Sequence, residues 1–139
     1  RDSNYINNVK VRLNQYQKLS IIYNLEELNN FVIELEDRFG KLPNQSLDLI
    51  KTIELKLLAI QNGFEKLILK NEKMICEFIS NKEDKFYSSG EFGKILQTIQ
   101  NNQNLCHLKE KKSIKGERLL LIFKEINSIE KAIKCLEIF

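Results

Sequence analysis

At 139 residues the chain has the usual size of one domain, long enough to bury roughly two-thirds of its unfolded surface without disulfide or metal staples. Its 42% apolar and 29% charged residues match a soluble globular protein, and no apolar run approaches the ~20 residues that cross a bilayer, which excludes a membrane protein. A net charge of +3 is too small to imply nucleic-acid binding by itself, because proteins of that class concentrate basic residues on one face.

The chain opens Arg1-Asp2-Ser3 and its only methionine is Met74, so a piece of a longer protein is expected. Ile6, Val9, Leu13, Tyr16 and Tyr23 recur at intervals of three to four or seven and predict a first helix from about Asn8 to Ile22. Asn24, with Glu27 three residues on, caps a second helix whose stripe is Leu25, Leu28, Val32, Leu35 and Phe39. Gly40 stops it, since glycine best takes the left-handed conformation after a helix. Pro43 fits the first turn of a third helix, where its missing N–H is no loss, and that helix runs to about Asn62 before Gly63. Leu47, Ile50, Ile53, Leu57 and Ile60 form one face of it and Leu49, Leu55 and Leu58 a second, so it is expected to be sandwiched.

Two similar units follow. The runs Phe64 to Lys70 and Lys73 to Ser80, joined by Asn71-Glu72, predict a hairpin. Ser88, with Glu91, is expected to cap a helix carrying Phe92, Ile95, Leu96 and Ile99. The runs Leu105 to Glu110 and Arg118 to Lys124 predict a second hairpin around Ser113 to Gly116, and Asn127, with Glu130, caps a last helix. The expectation is thus a single α+β domain: three helices over residues 1–63, then two ββα units over residues 64–139 with a small antiparallel sheet. Period alone leaves open whether the four strands form one sheet or two hairpins.

Little in this sequence carries chemistry. Gly90-Glu91-Phe92-Gly93-Lys94-Ile95 has two residues between its glycines where a phosphate-binding loop needs four, and an isoleucine where that loop needs Ser or Thr. No Rossmann fingerprint or G-x-S-x-G is present. Cys76, Cys106 and Cys135 lie among apolar residues and read as reduced thiols of a cytosolic protein, with no C-x-x-C to hold zinc. His107 is the one histidine and neighbours Cys106 on a strand, so the two point to opposite faces and cannot form a base–nucleophile pair. No catalytic, metal or cofactor site is therefore expected. Lys109, Lys111, Lys112 and Lys115 around the second turn are the candidates for phosphate contact, against the plainer reading of a solvated turn with Glu110 and Glu117 interspersed.

Glu34, Asp37 and Arg38, spaced i, i+3, i+4, share a helix face away from the apolar stripe. A Glu34–Arg38 pair on a helix is worth ~0.3–0.5 kcal/mol. Arg38 suits the C-terminal end of the dipole and Asp37 opposes it, which invites a second account beside the ion pair, a patch held for a partner outside the chain.

Tyr5-Ile6, Arg12-Leu13 and Tyr16, followed by Glu34-Leu35-x-Asp37-Arg38-Phe39-Gly40-x-Leu42-Pro43, resemble the C-terminal (TRCF) domain of the bacterial transcription-repair coupling factor family, densely from Tyr5 to Gly63. The resemblance implies a parent that is an ATP-dependent translocase on double-stranded DNA, with ATP and magnesium in its motor and none in this domain. Such a parent works in the bacterial cytoplasm, displaces stalled RNA polymerase from a lesion and recruits excision repair through UvrA. The domain would act as a regulatory lock on the intramolecular UvrA-binding module, with Glu34, Asp37 and Arg38 as the contact surface. Tyr5, Arg12, Leu13, Tyr16, Phe39, Gly40 and Pro43 would be structural, Arg12 pairing with an acid of the second helix. The alternative is an accessory DNA-contacting module working through the basic turn.

Overall fold

The computed structural model describes residues 9–12 and 24–139. Its centre is one antiparallel sheet, built from β1 (Val9–Arg12), β2 (Phe64–Lys70), β3 (Lys73–Phe78), β4 (Cys106–Ser113) and β5 (Gly116–Phe123) in the order β1-β2-β3-β5-β4. The two expected hairpins are present, and pairing of Met74 with Phe123 through Glu77 with Leu120 joins them into a single sheet. Asn71 and Glu72 both take left-handed φ, 52° and 58°, the conformation that matches a two-residue hairpin turn to the twist of its strands.

The helices are α1 (Leu25–Phe39), α2 (Asn44–Gln61), α3 (Lys85–Ser88), α4 (Glu91–Gln100) and α5 (Ile129–Glu137). Each hairpin is followed by helix, so the α+β class and the ββα order are borne out. The first helix is not as expected at its start, because Val9–Arg12 is a strand whose partners run from Leu69 to Lys66. The exposed edge of β2 offers unpaired backbone groups, and Val9-x-Val11 is β-branched at alternate positions, so strand pairing overrides the helical spacing. Residues 13–22 of that expected helix lie outside the described residues, as do Tyr5, Leu13 and Tyr16.

Helix starts follow the expectation where one capping residue stands alone. The Asn24 side chain accepts from the Glu27 N–H at 2.9 Å and donates to the Glu27 carboxylate at 3.0 Å. Pro43 stands just before α2 rather than inside its first turn, and its carbonyl accepts from the Leu47 N–H at 3.1 Å. Where several polar residues compete, the position shifts. Ser88 ends the unexpected short helix α3, and α4 starts from Gly90 in the left-handed conformation. Ser128, not Asn127, caps α5 by accepting from the Lys131 N–H at 3.0 Å.

The core lies on one side of the sheet. Leu67, Leu69, Met74, Cys76, Phe78, Cys106, Leu121 and Phe123 meet Leu55, Leu58 and Ala59 of α2, Ile95 and Ile99 of α4, and Ala132, Ile133, Cys135 and Leu136 of α5. Phe78 anchors an aromatic group, its ring 4.7 Å from Phe64 and 5.5 Å edge-on from Phe92, a geometry that adds to simple burial. Gly63 is required where α2 enters β2: its φ is +80° and a Cβ there would overlap the Phe86 ring. The opposite face carries Ile68, Ile75 and Ile122 in one row and the Lys66–Glu77 ion pair beside Leu120 in the next, with 3.2 Å between the charged atoms.

Candidate functional site

The charged segment sits where α1 turns into α2. α1 begins with the Asn24 cap and Glu26 and Glu27 in its first turn and ends with Arg38 in its last, so three of its charges complement the helix dipole. Gly40 closes it at φ 77°, ψ −158°, a region open essentially to glycine alone, and donates its N–H to the Glu36 carbonyl at 2.8 Å. Nothing lies near where its Cβ would be, so the backbone conformation alone demands glycine. Two residues on, Leu42 is only 8% exposed and anchors the corner. Gly40 bends the chain, Leu42 pins it, and Pro43 leads into α2.

Glu34, Asp37 and Arg38 are all exposed on α1. Among the described residues no ion pair joins Glu34 to Arg38, so the local explanation for these charges is absent. Phe39 corrects the expected apolar stripe: it is 72% exposed and does not fix the corner. The reason is geometric, since α1 packs on α2 and the chain turns inward only after Gly40, leaving Leu42 to take the buried position. Leu28 is the one buried residue of α1, and Phe31, Ile33 and, on α2, Leu49 are also exposed. The sequence did hold a signal for Leu42, an apolar residue alone between a helix stop and a proline. The corner thus presents two carboxylates, a guanidinium and an aromatic ring to solvent, an arrangement suited to recognition. Of the remaining motif residues, Arg12 lies in β1 opposite Lys66, so its backbone is committed to the sheet.

The basic residues of the second hairpin are split by strand alternation. Lys109 and Lys111 lie on one face of β4 and Lys112 on the other, while Lys115 is in the turn; all four are exposed. His107 is exposed and Cys106 buried, so the two do face apart. Burial pushes the Cys106 thiol up to about 11, helped by Cys135, and also raises Cys76 and Cys135, so none is poised as a nucleophile. Among the described residues no group of three His, Cys, Asp or Glu side chains is placed to hold a metal ion, and no helix is long and apolar enough to cross a membrane.

A cavity of about 340 Å³ opens between the third-helix segment and the second hairpin, lined by Ile79, Lys82, Tyr87, Arg118 and Leu119 among others. Among the described residues the Glu110 carboxylate of its lining has no partner, and the polar side chains named here are engaged internally. Lys82 pairs with Glu117 at 3.7 Å, Arg118 with Glu65 at 3.2 Å, and the Tyr87 hydroxyl donates to the Ile79 carbonyl. Nothing convergent is left for a substrate.

The family model of the TRCF domain matches residues 2–89, reaching past the first hairpin. The transcription-repair-coupling factor of Helicobacter pylori is 33% identical over 106 residues, covering 76% of this chain and 10% of that protein. The protein of the same name from Borreliella burgdorferi is 30% identical over 137 residues, covering 91% of this chain and 12% of its own length. That from Buchnera aphidicola is 34% identical over 76 residues, 55% of this chain and 9% of that protein. The chain spans about a tenth of the length of these relatives.

Proposed function

The chain belongs to the TRCF domain family of transcription-repair coupling factors, and from that premise we propose that it is a non-catalytic regulatory domain that masks the UvrA-binding module of its parent. Family membership supports a role in transcription-coupled repair. In the proposed cycle the mask holds until the parent, an ATP-dependent translocase on double-stranded DNA in the bacterial cytoplasm, engages stalled RNA polymerase. ATP and magnesium belong to the motor, and this domain contributes a surface.

One observation carries the reading: Glu34, Asp37 and Arg38 stand exposed and mutually unpaired at a corner whose backbone is set by Gly40 and Leu42. A fixed corner loses little conformational freedom on docking, and exposed charges give orientation and reversibility more than raw affinity. A tethered partner at millimolar effective concentration needs no more than that, and a lock must also open.

Replacing Glu34, Asp37 and Arg38 together by alanine in the parent protein tests the proposal. The expected outcome is UvrA binding strengthened about tenfold or more, each factor of ten corresponding to 1.4 kcal/mol of lost masking contact. The circular dichroism of the domain should be unchanged, because all three side chains are exposed. UvrA affinity equal to that of the unmodified parent would overturn the assignment.

A further inference from the structure

The second hairpin runs past the sheet it belongs to. β5 shares its rows with β3 only as far as Leu120, which pairs Glu77 on one side and Lys109 on the other. Beyond that row Glu110 faces Leu119, Lys111 faces Arg118, Lys112 faces Glu117 and Ser113 faces Gly116, with no third strand among the described residues. At ~3.4 Å per residue this two-stranded ribbon projects about 14 Å. Two ion pairs tie its second and third rows to the rest of the chain, Arg118 with Glu65 at 3.2 Å and Glu117 with Lys82 at 3.7 Å.

Those pairs engage Glu65 and Glu117, while Glu110 stands exposed on the ribbon face that also holds Lys112. Among the described residues the ammonium groups of Lys109, Lys111, Lys112 and Lys115 have no hydrogen-bond or ion-pair partner. Ile114, at the tip beside Lys115, is fully exposed and contributes nothing to the core. We infer that the β4–β5 ribbon is a binding arm for duplex nucleic acid, entering the major groove tip first with Lys109 and Lys111 toward one phosphate wall and Ile114 toward the floor.

The dimensions and the chemistry agree. A B-form major groove is about 12 Å wide and admits a two-stranded ribbon, and its floor carries the thymine methyl as the apolar group an isoleucine can meet. Lys109 and Lys111 lie on the ribbon face where neither β4 nor β5 places a carboxylate, and Lys112 and Lys115 stand beside the tip, Lys112 sharing its face with Glu110 and Glu117. Single strands are a poorer fit, because the projecting rows hold no aromatic side chain on which a base could stack. This arm lies at the end of the sheet remote in sequence from the α1–α2 corner, and the inference stands apart from the masking role.

Fluorescence anisotropy of the 139-residue chain with a short labelled duplex reads the arm directly. Four phosphate contacts predict that affinity falls roughly 100-fold between about 50 and about 200 mM salt, a log–log slope of about −3 to −4. The variant K109Q/K111Q/K112Q/K115Q should lose about three units of that slope, and Ile114→Ser should weaken binding several-fold at unchanged slope. Both variants alter exposed side chains only, and an unchanged circular dichroism spectrum confirms that they fold. Four results would overturn the inference: no salt-dependent binding, a slope unaltered in the lysine variant, single strands bound as tightly as duplex, or full displacement by polyglutamate at equal charge. The last would point to an acidic protein segment as the occupant instead.

Discussion

Glu54 on α2 is half-buried and lies near Glu137 of α5, and its carboxyl is raised above the ordinary 4.5 first by burial and then by Glu137, with Lys51 opposing. Because the folded state holds this proton more tightly than the unfolded one, stability is fully present below the unfolded pKa and is lost as pH rises through the folded value. Glu54→Gln should therefore raise the melting temperature at pH 7, and the gain should vanish at pH below 4.5 in a comparison of the two proteins across pH. Burial moves the three cysteine thiols in the same direction. They stay protonated in the core and act as small apolar groups. Their burial, and the outward His107 beside the inward Cys106, could be read from sequence because alternation along a strand depends on nothing beyond the strand itself. Glu54 could not, since its raised pKa comes first from burial in the folded chain and then from Glu137, on a helix that begins 75 residues later.

At the scale of elements, the α1–α2 corner rests on a loop residue, Leu42, and not on the motif residue Phe39. Leu42→Ala should cost about 2–3 kcal/mol in urea denaturation, since it empties a site 92% closed to solvent. Phe39→Ala should stay within about 0.5 kcal/mol, as its ring is mostly in water. A reversal of that order would mean that Phe39, not Leu42, pins the corner. The Asn24 and Gly40 boundaries were legible because a cap is a local transaction between one side chain or one φ angle and the nearest backbone groups. The starts of α4 and α5 were displaced by one or two residues because Ser88, Ser89 and Gly90, or Asn127 and Ser128, are all competent caps. Tertiary packing chose among them: Phe86 and Tyr87 join the aromatic group, and Ile126, 2% exposed, must reach the core before α5 can begin.

At the scale of the whole molecule, stability is unevenly spread. β3 contributes Met74, Cys76 and Phe78 to the core and is hydrogen-bonded on both edges, whereas α1 contributes Leu28 and packs on α2. Amide hydrogen exchange should accordingly show α1 opening locally, orders of magnitude faster than β3 and β5, whose protection should equal global stability. Equal protection in α1 and β3 would contradict this ordering. The two ββα units are further tied by the Ile126 N–H, which donates to the Glu72 carbonyl at 2.8 Å across the turn of the first hairpin. Alternation, turn residues and isolated caps settled by themselves the α+β class, both hairpins, the two helices either side of Gly40 and the outward position of Glu34, Asp37 and Arg38, because each depends on backbone groups a few residues apart. Only the tertiary structure decided that Val9–Arg12 pairs with β2, that β3 and β5 join the hairpins into one sheet, that Phe39 faces solvent, and that among the described residues Glu110 to Ser113 pair with β5 alone, beyond the last row that β3 shares. Those outcomes rest on which strand edge is left open and which surface is already covered, quantities that exist only once distant segments have met.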